Sequence, residues 1–407
     1  MCAMTGELRV LSVYEGFFTG GARILHSGVI AALHGRRRQH HSVLSIHREM
    51  HRESLRQTMF RDASYRQLRT AGLQVSTLGR AATAQGNREA FTSTELELAA
   101  RHLAEAEIVV SLKEQPLRLI TAPGLPWRPV VVCLHRSDPQ NQGQALADLE
   151  AAVASGRVVA IICCAESTRN AYAAAGIPVD LLHVVPNGAD RKRFRPAGSW
   201  TRARLRRTLG VPAGVPLVAF AARHDTMKNV PLFLRATREF LRREPTGEVV
   251  ACGAGMSRAN PVLREEIREA FGDHKALLSR LHLLGVRKDM ENIYRAADVV
   301  TLTSSVGEAA PLSLIEGMMC GAVPVATDVG DCVAIVEGRG LVADPDPVAI
   351  SEAWLEAIAR REEFVAAAAA EADRFSHRRM VRSYGEIIGR LRGTTPATLG
   401  GLALAPA

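Results

Sequence analysis

Two successive series of short, almost wholly apolar runs constrain this chain more than any other feature. In the first half, "LRVLSVY" (8–14), "HSVLSI" (41–46), "AEIVVSL" (106–112), "RPVVVCLH" (128–135), "RVVAIICCA" (157–165) and "DLLHVVPN" (180–187) have the length and composition of strands. Segments of helical composition separate them, such as "GGARILHSGVIAALHG" and "STELELAARHLAEA". The pattern then restarts with "VPLVAFAAR" (215–223), "GEVVACGAG" (247–255), "RLHLLGV" (280–286), "ADVVTLTSS" (297–305) and "AVPVATD" (322–328). Strands apolar on both faces belong in parallel sheet covered by helices on each side. The fold class read from this is α/β, with two doubly wound Rossmann-like domains.

Between the series lies "NGADRKRFRPAGSWTRARLRRTLGVPAG" (187–214), charged and bounded by Pro and Gly. It divides the chain into a domain over 1–190, a linker over 191–214 and a second domain over 215–375. A final amphipathic helix is predicted over 376–392, crossing back to the first domain, with a disordered tail over 393–407. Two domains suit 407 residues. Ligands of doubly wound sheets bind outside the carboxyl ends of the strands. With two such domains facing each other, the site is expected in a cleft between them.

Composition narrows the classes. No run approaches the roughly 18 apolar residues of a membrane span, and "MCAMTGELRVLSV" leads straight into a strand without an apolar leader. A cytoplasmic placement is the expectation. The seven cysteines lack CxxC spacing, and Cys133, Cys163, Cys164 and Cys252 sit in apolar runs, as buried thiols do. The net charge of +9 favours anionic partners. Nucleic acid fits poorly, because no basic helix carries interleaved aromatics. The His- and Arg-rich stretch over 34–70 reads as a solvated or acceptor-facing surface, with peripheral contact to an anionic membrane as the other option.

Three stretches end a strand and open a helix with anion-binding chemistry. After the first strand, Gly20 and Gly21 let backbone amides approach an anion at a helix N-terminus, although Gly-Gly also serves as an ordinary loop. In "AARHDTMKNVPLFL", Arg223 and Lys228 can converge on a helix whose first turn Pro231 suits. In "SSVGEAAPLSLIEGMMCGAVPVATD" (304–328), Ala310 and Pro311 lead into a helix where Leu312 and Ser313 present amides. There Glu316 lies five residues beyond Pro311, about 7–8 Å along the axis. That is roughly the separation of a diphosphate from its ribose, so one carboxylate can serve the ribose while Glu308 serves a second sugar across the phosphates.

The block from Glu308 to Thr327 closely resembles the E-x7-E region of retaining GT-B glycosyltransferases of the family-4 type, glycosyl transferases group 1. "VPNGADRKRF" and "LLGVRKDMENIYRAADVVTLTSS" are similar to two further segments of that family. Gly20-Gly21 looks like its N-terminal loop, and Arg223 with Lys228 like its diphosphate pair. The resemblance implies donor held mostly by the second domain and acceptor by the first. It implies transfer from a nucleoside-diphosphate sugar, most often UDP-linked, with retention, no metal and no other cofactor. It places Glu316 on ribose, Glu308 on the donor sugar, and Arg223 and Lys228 on the leaving diphosphate. Val286 and Arg287 would meet the base, Gly253 and Gly255 the floor, and His135 the donor sugar. Arg136 and Asp138 could orient hydroxyls of the acceptor.

The chain departs from the family at Ala309, at Gly317 after the second glutamate, and at Arg23, where an acidic residue is common. Asp344-Pro345-Asp346 resembles a metal-binding D-x-D string but reads better as turn and helix capping. A sugar phosphorylase and a non-catalytic nucleotide-sugar binder are the competing readings. An intact Glu316 argues against the first, and the complete set Arg223, Lys228, Glu308 and Glu316 against the second.

Overall fold

A computed structural model describes residues 6–18, 20–36, 38–52, 55–82 and 89–395. It divides into two compact units, one of residues 1–187 with 378–407 and one of residues 188–377.

The first unit is built on β1 (Leu8–Gly16), β2 (Gln39–Arg52), β3 (Leu55–Thr58), β4 (Gln74–Ala82), β5 (Ile108–Leu112), β6 (Val130–Leu134), β7 (Val158–Cys163) and β8 (Leu182–Val184). The strands run in the order β3-β2-β1-β5-β6-β7-β8, with β4 joined to β2. Among the described strands, only the β2–β3 pair is antiparallel. Every side chain of β5, β6 and β7 is buried, which is why those strands read as unbroken apolar runs. The helix His377–Arg390 is grouped with this unit, and Gln39 donates to the Gly385 carbonyl at 3.0 Å.

The stretch over 34–70 is mixed: arginines such as Arg36, Arg38, Arg48, Arg61, Arg66 and Arg69 are exposed, as a solvated surface requires, while Gln39 is buried. It supplies β2, whose His41 and His47 are buried, and β3. Tertiary pairing on three neighbouring strands outweighs its polar composition. Within β2, 41–46 is legible as a strand from its own residues, whereas β4 is hidden in the sequence because its polar and apolar residues show no clean alternation.

The second unit is wholly parallel, with β9 (Leu217–Ala221), β10 (Glu248–Cys252), β11 (Leu281–Gly285), β12 (Val299–Leu302), β13 (Val323–Ala326) and β14 (Leu341–Val342). Its order, β11-β10-β9-β12-β13-β14, is the 3-2-1-4-5-6 arrangement of dinucleotide-binding sheets. Phe220 stacks on Phe233 at 4.2 Å in its core, and the buried Trp354 indole donates to Thr301 Oγ1 at 2.9 Å.

The segment 191–214, expected as a linker, belongs to this unit. Its helix Ser199–Thr208 sends Arg202 and Arg206 to the two oxygens of Asp298, at 2.5 and 2.7 Å. Asp298 also accepts from the Leu217 amide at 2.9 Å. The basic composition read as a linker's is in part consumed by this one buried carboxylate. Of the tail predicted from 393, residues 396–407 lie outside the described residues.

Candidate functional site

Strand order reverses in the second unit between β9 and β12, where two chain crossovers leave in opposite directions. The crevice at the carboxyl ends of these strands is the expected ligand position for such a sheet. The segments leaving them are "ARHDTMKN" and "TSSVGEAAP", which hold Arg223, Lys228 and Glu308.

Backbone and side-chain bonds sew these two segments together. Thr303 Oγ1 donates to the Lys228 carbonyl at 3.0 Å, and the Ser305 amide to the Met227 carbonyl at 3.0 Å. Asn229, in the left-handed region at φ 47°, turns the chain and caps the helix Val230–Arg243, with Pro231 in its first turn. Lys228 Nζ is thereby brought into direct contact with Glu308 Oε1. Ser304 Oγ donates to the same oxygen at 2.7 Å, and Glu308 is 7% exposed. Gly330 presses on the Glu308 backbone, so that a Cβ there would sit 2.4 Å from the Glu308 carbonyl oxygen. Arg223 is part-exposed and paired with Asp225 at 2.8 Å.

Beyond Glu308 the chain turns at Pro311 into the helix Leu312–Met319, which no side chain caps. Leu312 and Ser313 are its first residues, and Ala310 packs in part on the core. Glu316 is half-buried one turn on. Burial pushes its carboxyl up to about 7, reinforced by Glu291 and opposed by Arg193 and a hydrogen bond from Tyr294. Arg193 is itself ion-paired with Glu291 at 2.7 Å. Gly317 explains the departure from the usual alanine: a Cβ there would stand 2.5 Å from Val300 Cγ1, so the helix lies hard against β12.

Gly253 and Gly255 follow β10, at φ 145° and 78°. A Cβ on Gly253 would come within 2.0 Å of the Ala222 carbonyl oxygen, and one on Gly255 within 2.7 Å of His224 Cβ. Both let the β10 loop close onto the β9 exit that carries Arg223. Val286 follows β11 and is 61% exposed, while Arg287 forms a fork to Asp289 at 2.9 and 2.8 Å.

The remaining candidates lie in the first unit. Gly20 precedes the helix Gly21–Leu33 in extended conformation, and a Cβ there would meet Phe18 only at ordinary contact distance. Arg23 is buried, stacked on Phe17 and Phe18 and paired with Asp62 at 3.0 Å, which gives this departure a structural reason. His135 follows β6; its Nε2 is buried without a hydrogen-bond partner among the described residues, and burial lowers its pKa to about 3. Arg136 and Asp138 are paired with each other. Asp346 of the D-x-D string caps the helix Pro347–Ala359, accepting from Val348 and Ala349 at 2.9 and 3.0 Å.

The sequence reading missed Ser304, Arg193 and Tyr294. Ser304 had a signal, four residues before Glu308 at a strand end. Arg193 and Tyr294 stood inside quoted motif segments but depend on a tertiary approach to Glu316 that spacing does not express.

Residues 215–360 match the family model described as Glycosyl transferases group 1. D-inositol 3-phosphate glycosyltransferase of Saccharomonospora viridis is 32% identical over 236 residues, covering 53% of this chain and 52% of that protein. The protein of that name from Corynebacterium jeikeium is 32% identical over 169 residues, 40% of each. The chain thus spans about half the length of the curated relatives it matches, or less. Among solved structures, Anabaena Alr3699/HepE in complex with UDP-glucose aligns with a TM-score of 0.75 at 19% identity, over 95% of this chain and 100% of that one. Sucrose-phosphate synthase of Thermosynechococcus elongatus aligns at 0.65 and 17%, over 95% and 99%. Residues 215–360 therefore belong to glycosyl transferases group 1, within a chain whose two Rossmann-like units have the GT-B fold.

Proposed function

We propose that this protein transfers a hexose-type sugar from a nucleoside-diphosphate sugar, UDP-linked first among the options, to a hydroxyl of a soluble acceptor with retained configuration and without a metal. The observation that carries the reading is the convergence of Lys228 and Glu308, with Arg223 on the same exit from β9, at the point of the second sheet where strand order reverses.

Breaking the sugar–phosphate bond builds charge on the diphosphate and leaves an oxocarbenium-like sugar. Arg223, Lys228 and the amides of Leu312 and Ser313 supply fixed positive character for the leaving group. Glu308, pinned by Ser304, accepts hydrogen bonds from the sugar hydroxyls, and Glu316 accepts from the ribose. The acceptor attacks from the face the diphosphate leaves, and the departing phosphate takes its proton. The UDP-glucose held by the Anabaena neighbour supports a uridine donor. For Val286, Arg287 and His135 the assignment rests on the resemblance alone, and for Gly20 and Gly21 on the resemblance and on their place at a helix N-terminus. Arg136 and Asp138 are proposed to address the acceptor. The name of the sequence relatives adds a phosphorylated polyol to the acceptors worth trying.

Thermal stabilisation by a panel of nucleotides and nucleotide sugars, repeated on Glu316→Ala, tests this. A shift with one base that the substitution abolishes is expected. Stabilisation by inorganic phosphate or free sugar, and by no nucleotide, would replace the reading with a phosphorylase. Product anomeric configuration, read by proton NMR, decides retention.

A further inference from the structure

The contact between Lys228 and Glu308 joins two groups that the proposed reaction needs separately. Lys228 Nζ touches Glu308 Oε1, and that same oxygen accepts from Ser304 Oγ at 2.7 Å. Glu308 cannot easily withdraw. Its carboxylate is buried and tied to Ser304, and its backbone is backed by Gly330. The backbone of Lys228 is equally fixed, by Thr303 Oγ1 on its carbonyl and by its own amide on the Asp225 carbonyl at 3.0 Å. The freedom left lies in the lysine stem, whose flexible four carbons let one ammonium reach different anions.

We infer that Glu308 and the donor's diphosphate compete for Lys228, and that this competition makes the site discriminate the sugar-bearing donor from the bare nucleoside diphosphate. The inference rests on the donor reading above and adds a specificity role to it. With the intact donor bound, sugar hydroxyls donate to Glu308 and compensate it for an ammonium that has moved to the phosphates. Once the sugar has gone, Glu308 has lost those donors while remaining buried. A buried carboxylate short of partners is costly, so it draws Lys228 back and repels the phosphate left behind. The product is weakened without any change in the contacts of its base or ribose. No covalent step is added; only the partner of one ammonium changes.

The test is calorimetric titration of UDP and UDP-glucose, with the adenosine and guanosine counterparts alongside, into wild type, Glu308→Gln, Lys228→Ala and the double variant. Glutamine keeps the shape of Glu308 and removes its charge. Expected is a gain of roughly five- to tenfold in nucleoside-diphosphate affinity for Glu308→Gln, with no matching gain for the sugar conjugate, so that the preference for donor collapses. In the Lys228→Ala background the same change should give no gain, because nothing remains to compete for. Unchanged or weaker diphosphate binding in a folded Glu308→Gln protein overturns the inference and leaves the donor reading standing. An equal gain in both backgrounds also overturns it, since simple charge repulsion would then suffice. Should Glu308→Gln fail to fold, Glu308→Ala carries the same comparison. If no nucleotide or conjugate binds wild type or any variant, the donor reading falls and this inference falls with it.

Discussion

Gly317 and Val300 are in closest approach between the helix that follows the glutamate loop and the sheet beneath it, with room for hydrogen and none for a methyl group. Gly317→Ala is therefore expected to destabilise the protein by about 1–3 kcal/mol, as overpacking a tight core does. That is despite the ~1 kcal/mol which alanine gains in a helix interior. Urea titration of the two proteins checks it; a stabilised variant would mean the helix can lift from β12 at little cost.

Glu316 is held protonated to a higher pH than an ordinary carboxyl, up to about 7 against 4.5, chiefly by burial. Between those values the folded chain keeps a proton that the unfolded chain has released. The stability linked to this group therefore falls as pH rises through the window and stays low above it. Glu316→Gln should be more stable than wild type at about pH 8 and lose that advantage at about pH 5, by melting curves at both. A gap independent of pH would refute the assignment. The same variant is expected to bind nucleotide more weakly, which separates stability from function.

The first unit carries the opposite slope. Burial lowers His26, His41 and His135 to about 3 and His47 to about 4, from 6.5. Below pH 6.5 the unfolded chain takes up protons that the folded chain refuses, so stability present above that pH is lost progressively as pH falls. His26 accepts or donates at Tyr14 through Nδ1 at 2.9 Å, and its Nε2 is buried without a partner among the described residues. Hydrogen exchange corrected for intrinsic rates should show β1 and β2 losing protection on acidification before β9 and β12 do. Simultaneous loss in both units would contradict this.

Ser304→Ala removes one bond to Glu308 and leaves the Lys228 contact in place. Loss of a hydrogen bond to a charged group should lower kcat/KM for the nucleotide sugar roughly tenfold. The melting temperature should move little, and threonine should restore part of the rate. Steady-state kinetics with the donor identified by the binding panel gives the answer.

What the sequence made legible follows the physics of each element. Strands such as β6 and β12, buried on both faces, announce themselves by composition, and their order along the chain suffices for a parallel sheet. β4 does not, and β2 does so only over 41–46, because beyond that run their partners rather than their own residues make them strands. At the candidate site, Arg223, Lys228 and Glu308 stand out by their places at strand exits and Glu316 by its place on the helix that follows. Spacing was silent on how they meet: the Lys228–Glu308 contact joins residues 80 apart. It requires a parallel crossover whose outcome only the sheet order reveals. The linker reading of 191–214 differs from the structure for a related reason, since a charged run bounded by Pro and Gly does not disclose the distant buried carboxylate that its arginines neutralise.

That neutralisation sets a rule for dissecting the chain. Asp298 is buried beneath Arg202 and Arg206 and also tied to the Leu217 amide. A fragment beginning at 215, where the family match begins, would strand this carboxylate beside the sheet with two of its counter-ions deleted. Recombination between relatives meets the same obstacle. A crossover within 199–298 that imports one side without the other mismatches the charge, whereas one placed at 187–188 carries the whole cluster intact. The natural seam for exchanging the second unit therefore lies upstream of the arginine-rich helix.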